Sequence, residues 1–236
     1  MNNYYIKSSY VSNKTNITID EVSEADYWNE SRIQSAEIYQ FPVYKFLSNY
    51  IKRNKVKSLI DIGCGVASKL VVVDKENPGL KIVGIDQKSP IEYCKEKYSF
   101  GEWLIDDFEN SKLDCSIKSK LIICSDVIEH LINPDLLLEY IKNRLDSNGV
   151  VILSTPERDL LRGKRCVVSP NEHHIREWNY EEFEKYLSSR GFIVVGHFLQ
   201  YPIKFRLSRI FFHEIIKRAV TFKALKYNQV VILKVK

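Results

Sequence analysis

The sequence predicts a layered α/β fold built on a mostly parallel sheet, and three observations carry the prediction. Five short runs rich in β-branched residues, KSLIDIG, KIVGIDQ, EWLIDD, KLIICSDV and GVVILST, follow one another between residues 57 and 155. Runs that are apolar on both faces mark strands covered by helices on either side of a sheet. Helical stretches lie between several of them, including PDLLLEYIKNRL ahead of a turn at Asn148-Gly149. Four of the runs close on glycine or acidic residues, and in such a sheet ligands sit in the crevice beyond the carboxyl ends of the strands.

In chain order, residues 1–23 read as a mobile or loosely docked arm, because they are polar and show no apolar period. Residues 24–54 read as a helical cap, with helical spacing around Pro42 and with Ile38, Phe41, Tyr44, Phe46 and Leu47 available for burial. Residues 55–236 make the α/β domain. Within it, EWNYEEF starts a helix with Asn179 as N-cap and Glu182 three residues on. Residues 204–226 are basic and amphipathic, with Leu207, Ile210, Phe211, Ile215 and Phe222 able to share a face, and NQVVILKVK reads as the last strand.

Composition narrows the function classes. With 236 residues, 44% hydrophobic and 28% charged, the chain has the makings of one sizeable core and neither a disordered nor a fibrous character. No run of about 18 apolar residues occurs and the N-terminus lacks the regions of a signal peptide, so a cytoplasmic protein is expected. Cys64, Cys94, Cys115, Cys124 and Cys166 form no C-x-x-C pair, which argues for reduced, structural thiols. From Lys204 onward nine Lys or Arg face one acid, a net +8, which leaves the first 203 residues at −3. An acidic body with one basic segment does not look like a nucleic-acid binder. That segment suits peripheral contact with an anionic membrane, although such a helix more often packs on its own sheet.

The strand ends carry the chemistry. After the first run, DIGCGVASK places Gly63 and Gly65 on either side of Cys64, for a tight turn and close backbone approach. About 20 residues on, Asp86 followed by Gln87 ends the second run, where a carboxylate can accept both hydroxyls of a ribose. The third run ends in Asp106, Asp107 and Phe108, an acid for an exocyclic amine and a ring to pack on a purine. The fourth ends in Cys124, Ser125 and Asp126, the floor between nucleoside and substrate.

In this order and spacing, Asp61-x-Gly63-x-Gly65, Asp86, Asp107-Phe108, SDVIEHL and SNGVVILSTPERD resemble the class I S-adenosylmethionine-dependent methyltransferases, from about Val56 to Lys236. The resemblance implies a Rossmann-like seven-stranded sheet with helices on both faces and an antiparallel last strand. It implies S-adenosylmethionine as cofactor, with the methionine portion on Asp61, Gly63 and Gly65, the ribose on Asp86 and adenine at Asp107 with Phe108. Where many members have a further glycine this chain has Ala67, which should tighten the loop without closing it. A nicotinamide enzyme would favour glycine where Ser68 stands, and its Y-x-x-x-K pair would not fall as early as Tyr93 and Lys97, which read as one exposed helix face.

The loop after the fifth run offers Arg158, Arg162, Asn171, His173, His174, Arg176 and Trp178 to a polar or anionic substrate. Its Asn171, His174, Arg176, Glu177 and Trp178 resemble the N-x-x-H-x-R-E-W pattern of methyltransferases from bacterial glycan and natural-product pathways. The expectation is O-methylation of a small polar acceptor, a sugar or sugar nucleotide in surface-glycan synthesis. His174 is the candidate base, Asp126 and His130 support it, and Tyr27 and Trp28 of the cap close the site. No metal is expected. The alternative is a divalent cation on Asp126, Glu129, His130 and His174, whose spacing resembles the metal-dependent small-RNA 2′-O-methyltransferases and would bring an RNA terminus as acceptor. A non-catalytic S-adenosylmethionine-binding partner protein is the remaining alternative.

Overall fold

The computed structural model describes residues 4–13, 39–114, 116–203, 209–221 and 224–236. Seven strands, β1 (Ser58–Ile62), β2 (Lys81–Asp86), β3 (Gly101–Ile105), β4 (Ser119–Ser125), β5 (Leu145–Pro156), β6 (Phe192–Gln200) and β7 (Asn228–Val235), form one sheet in the order β3-β2-β1-β4-β5-β7-β6. β1 to β5 pair in parallel, whereas β7 runs antiparallel to both β5 and β6. The strand order reverses between β1 and β4, the place where an open α/β sheet holds its ligands. There Ile62 pairs with Cys124, so the glycine turn after β1 and the Ser125-Asp126 end of β4 are neighbours.

Helices α1 (Phe41–Asn54), α2 (Leu70–Glu76), α3 (Lys88–Lys97), α4 (Pro134–Arg144), α5 (Arg158–Leu161), α6 (Tyr180–Ser189) and α7 (Arg209–Val220) surround the sheet. Val43, Tyr44, Leu47 and Ile51 of α1 join Leu59, Leu70, Ile91, Ile123 and Val230 in one core. Ile60, Ile62, Leu137, Leu138, Ile141, Phe183 and Leu187 fill the other. Both bury apolar side chains that would each cost roughly 1.5–3 kcal/mol to leave in water. Pro134 opens α4 behind Asn133, whose side chain accepts from Asp135 N, and α6 begins with the expected capping box of Asn179 and Glu182. Tyr93 and Lys97 share one face of α3, the ammonium 5.6 Å from the ring centroid.

Two expectations change. The described part of the cap, α1, is not set over the domain but lies flat on the sheet as one of its layers, because its apolar stripe matches the sheet face. The described part of the arm is docked: Ile6 is buried and Tyr4 and Tyr10 pack against the core, an anchoring by three large side chains that polar neighbours conceal. Tyr27, Trp28 and Ile38 lie outside the described residues.

In α7, Arg218 is buried over the Tyr227 ring at 3.7 Å, while Phe212, Ile216 and Val220 face out at 49%, 61% and 73% exposure. Of the apolar face expected there only the Ile215 side chain is described, half-buried. No helix among the described residues is long and apolar enough to cross a membrane.

Candidate active site

The turn from β1 to α2 needs left-handed backbone. Gly63 has φ +80 and its amide donates to Ile85 O at 2.8 Å, while Gly65 has φ +54. A Cβ on Gly63 would lie 2.2 Å from Val127 Cγ2, so this position admits no side chain. Ala67 has φ +52, keeping the conformation glycine favours at a cost of about 1 kcal/mol. Asp86, half-buried at the end of β2, accepts from Gly65 N and from Gln87 N, each at 2.7 Å. Its carboxylate therefore ties the glycine turn to the strand end. Cys64 and Cys124 send their thiols into the two cores, where burial raises the pKa of each.

Asp61 is fully buried and accepts from Tyr44 OH at 2.8 Å, and its Oδ1 has no partner among the described residues. Burial lifts its pKa from 3.8 to about 7, against the opposing pull of Tyr44 and of Lys69. The Lys69 ammonium sits 5.1 Å from the Tyr44 ring centroid, buried with its own pKa lowered by desolvation. A carboxyl whose folded pKa lies above its unfolded one supports the fold below about pH 4 and loses that contribution as pH rises through 7. Asp61→Asn should therefore gain on the wild type, by on the order of 2 kcal/mol, between about pH 5 and about pH 8 in denaturant unfolding of the ligand-free chain. An equal difference at both pH values would refute the neutral carboxyl.

At the end of β3 the two acids separate. Asp106 is buried and accepts from Ser111 Oγ (2.6 Å), Tyr140 OH (2.8 Å) and Lys112 N (3.0 Å), with Arg144 at 3.5 Å. These hydrogen bonds hold its pKa low although burial opposes them. Asp107 is exposed and its carboxylate accepts a local bond from Glu109 N at 2.9 Å, while Phe108 packs edge-on against Tyr140. Asp106 is a structural acid and Asp107 is the one turned outward.

Beyond β4, Asp126 adopts φ +55 and accepts from Ser154 Oγ at 2.9 Å, and Ser154 Oγ also lies 2.8 Å from Ser125 Oγ. Desolvation raises the Asp126 pKa, while bonds from Ser154 and from Gln40 of the segment leading into α1 oppose it. A 3-10 turn, Ile128–His130, then directs Glu129 inward. Glu129 is fully buried; Oε2 accepts from Thr155 Oγ1 at 2.9 Å and Oε1 has no partner among the described residues. Desolvation raises its pKa well above the carboxylate range.

The loop from Gly163 to Trp178 closes the arrangement. His174 is buried, 4.8 Å edge-to-face from His130, with Nδ1 2.6 Å from Glu177 Oε1. Glu177 also accepts from Arg162 (2.9 Å) and Ser169 Oγ (2.9 Å). Burial works against its charge, yet the bonds from His174 and Arg162 hold its pKa at about 2. His130 Nδ1 lies 2.7 Å from His173 O. Glu129, His130 and His174 each present a ligand atom, all within 4.8 Å of one another, and Asp126 is not among them.

Several residues expected on the substrate side are spent elsewhere. Arg158 is fully buried between Glu182 (2.6 Å) and Asp159 (3.0 Å). Arg176 donates to the carbonyls of Leu131 and Ile132, each at 2.8 Å. Trp178 is fully buried, stacked on Tyr186 and donating to Tyr4 O. Arg162 is paired with Glu177, and Asn171 accepts from His173 N to shape the turn. A buried guanidinium or indole needs such partners, and once they are made it is not presented to a ligand. The site also uses Glu177, Tyr44 and Gln40, to which the sequence assigned no role; the i, i+3 spacing of His174 and Glu177 was the available signal.

A sheet that reverses at β1/β4, a glycine turn, the Asp86 carboxylate bonded to it from the next strand and a His–Glu pair in the loop after β5 make a candidate site for a nucleoside cofactor and group transfer. The chain belongs to the methyltransferase-domain family, whose model matches residues 36–197. It is 27% identical over 161 residues to the ubiquinone biosynthesis O-methyltransferase of Rickettsia prowazekii (strain Madrid E), covering 62% of this chain and 60% of that protein. It thus spans about three-fifths of that relative's length. The plantazolicin methyltransferase BamL, solved with a triazolic desmethylPZN analog and SAH, has the same fold, with a TM-score of 0.62 at 16% identity over 92% of this chain and 91% of that one. A methyltransferase from Clostridium acetobutylicum ATCC 824 also matches, with a TM-score of 0.62 at 13% identity over 90% and 98%.

The residues fit the family's cofactor. The turn at Gly63 excludes a Cβ, and Asp61 Oδ1 and Ser68 Oγ are buried without partners among the described residues. Asp61, Gly63 and Gly65 would hold its methionine portion, Asp86 its ribose, and Asp107 with Phe108 its adenine.

Proposed function

We propose that this protein transfers a methyl group from S-adenosylmethionine to a hydroxyl of a small acceptor, with His174 as general base. The observation that carries the reading is the 2.6 Å contact between His174 Nδ1 and the buried Glu177 carboxylate. Glu177 stays ionised above about pH 2, so it holds the proton on Nδ1 and leaves Nε2 as the basic nitrogen. The cofactor supplies an electrophilic methyl group on a sulfonium. Bound there, it would give up that methyl group to the acceptor oxygen and leave as S-adenosylhomocysteine, while His174 Nε2 would take up the hydroxyl proton. Asp126 and His130 border the same mouth and support the base.

The inward-turned Arg158 and Arg176 remove two of the cations that favoured a sugar nucleotide. The O-methyltransferases of ubiquinone biosynthesis that the chain resembles make a ubiquinone precursor the first acceptor to test, ahead of sugars and nucleotide sugars. The test is mass spectrometry of such a panel with S-adenosylmethionine, in which one acceptor should gain one methyl group. Cofactor binding with no gain on any acceptor would favour the non-catalytic partner.

One observation favours a second reading, in which Glu129, His130 and His174 hold a divalent cation that polarises the acceptor hydroxyl. The unpartnered Glu129 Oε1 fits it, since a cation would draw that buried carboxyl into its ionised form. The base reading expects turnover to survive dialysis against EDTA. Loss of turnover that Mg²⁺ or Mn²⁺ restores would favour the cation, and would bring an RNA terminus into the acceptor panel.

A further inference from the structure

The loop that carries His174 is largely irregular between Gly163 and Trp178, so its backbone groups need partners that no helix or sheet supplies. Many of them come from the far end of the chain. Val11 N donates to Val167 O at 2.7 Å, and the Lys7 ammonium donates to Lys164 O at 2.7 Å. Asn13 donates twice, from its amide Nδ2 to His174 O and from its backbone N–H to Ile175 O, both at 2.8 Å. The Tyr10 hydroxyl oxygen accepts from Glu177 N at 3.1 Å, and Tyr4 O accepts from Trp178 Nε1 at 2.9 Å. Lys7 N adds a bond to Glu182 Oε1 at 3.0 Å.

Two of these fall on the reacting pair. The His174–Ile175 peptide is held from both sides: its N–H donates to Glu129 O at 2.8 Å, and its carbonyl, His174 O, accepts from Asn13 Nδ2 at 2.8 Å. The Glu177 amide is held by Tyr10, whose hydroxyl is in the same buried cluster as the carboxylate. The segment is itself anchored, since Ile6 is 4% exposed in the core. It also lies outside residues 36–197, the part of the chain the family model matches.

We infer that residues 4–13 are a strap that positions the His174–Glu177 pair, with Asn13 and Tyr10 as positioning residues. This rests on the reading of that pair as the proton-accepting unit. Placement matters because a shift of about 1 Å in a catalytic group can cost on the order of 10²-fold in rate. A loop free to wander would lose the 2.6 Å contact that selects the tautomer. The glycine turn is tied to β2, with Gly63 N donating to Ile85 O and Gly65 N to Asp86, so cofactor affinity should not depend on the strap.

The test uses the full chain saturated with S-adenosylhomocysteine at slightly alkaline pH, with the histidine nitrogens read by ¹⁵N-¹H correlation. In the wild type His174 should show the Nδ1–H tautomer. Asn13→Ala should give a mixture with the Nε2–H form that free imidazole prefers. Tyr10→Phe should speed hydrogen exchange of the Glu177 amide by roughly 10-fold. Both variants should keep wild-type affinity for S-adenosylhomocysteine by calorimetry. Unchanged tautomer and exchange in both variants would overturn the strap and leave the His174–Glu177 reading intact. A wild-type His174 without the Nδ1–H tautomer would overturn both. A loss of cofactor affinity alongside the tautomer change would reduce the strap to general stability and overturn the positioning role.

Discussion

Arg158→Met should lower the stability of the fold by about 3 kcal/mol, a fall in Tm of roughly 6–12 °C for a chain of this length. The guanidinium is 0% exposed and donates to both oxygens of Glu182, to Asp159 and to Glu177 O. Methionine fills a similar volume but leaves the acids half-wrapped in protein without their counter-charge. The estimate sits at the low end for a broken buried pair because Glu182 and Asp159 keep some contact with water. Thermal unfolding of the two proteins, with and without S-adenosylhomocysteine, measures it. Were Arg158 instead a substrate-binding residue, Tm would hold steady and the acceptor KM alone would rise.

His174→Gln should lower kcat by roughly 10²- to 10⁴-fold on whichever acceptor gains a methyl group, with the dissociation constant for S-adenosylhomocysteine unchanged. Glutamine keeps a hydrogen bond to Glu177 within reach but has no basic nitrogen for the acceptor proton. The residues proposed to hold the cofactor lie at or just beyond the ends of β1, β2 and β3, apart from the loop that carries His174, so binding and turnover should part company in this variant. Retention of most of kcat would remove His174 from the role of base. Single-turnover rates, which exclude product release, give the cleanest comparison.

These two residues also mark where the sequence was legible and where it was not. The strands declared themselves because Leu59, Ile60, Ile82, Ile122, Ile123 and Val151 must be apolar on both faces. β6 was not read although it opens on the apolar run Phe192–Val195, because Gly196 and His197 interrupt that run and the strand lies at the sheet edge, where it is only partly buried. The start of α6 was readable because a capping box is local, with both partners within four residues. Arg158 was not, because Glu182 is 24 residues away and nothing local distinguishes an arginine buried among acids from one facing a phosphate. Asp106 and Asp107 are adjacent, and only the approach of Tyr140 from α4 decides which is buried. The arm misled for the same reason: its few apolar side chains carry no period, and its partners lie more than 150 positions downstream.

The insertion of β7 between β5 and β6 sets an order of events during folding. The glycine turn and Asp86 follow β1 and β2, which pair with each other across a short connection and so can form early. The other half has to wait. β6 has its strand partner only in β7, and Gln229 of β7 donates to both Pro156 O and Trp178 O, while Glu157 N donates to Tyr227 O. The loop that carries His174 therefore receives a tether from a strand 51 positions further along the chain. Contacts so far apart in sequence are slow to form, and until then the edges of β5 and β6 stand open to other chains. Closure of the sheet by β7 and assembly of the loop that carries His174 are thereby one event.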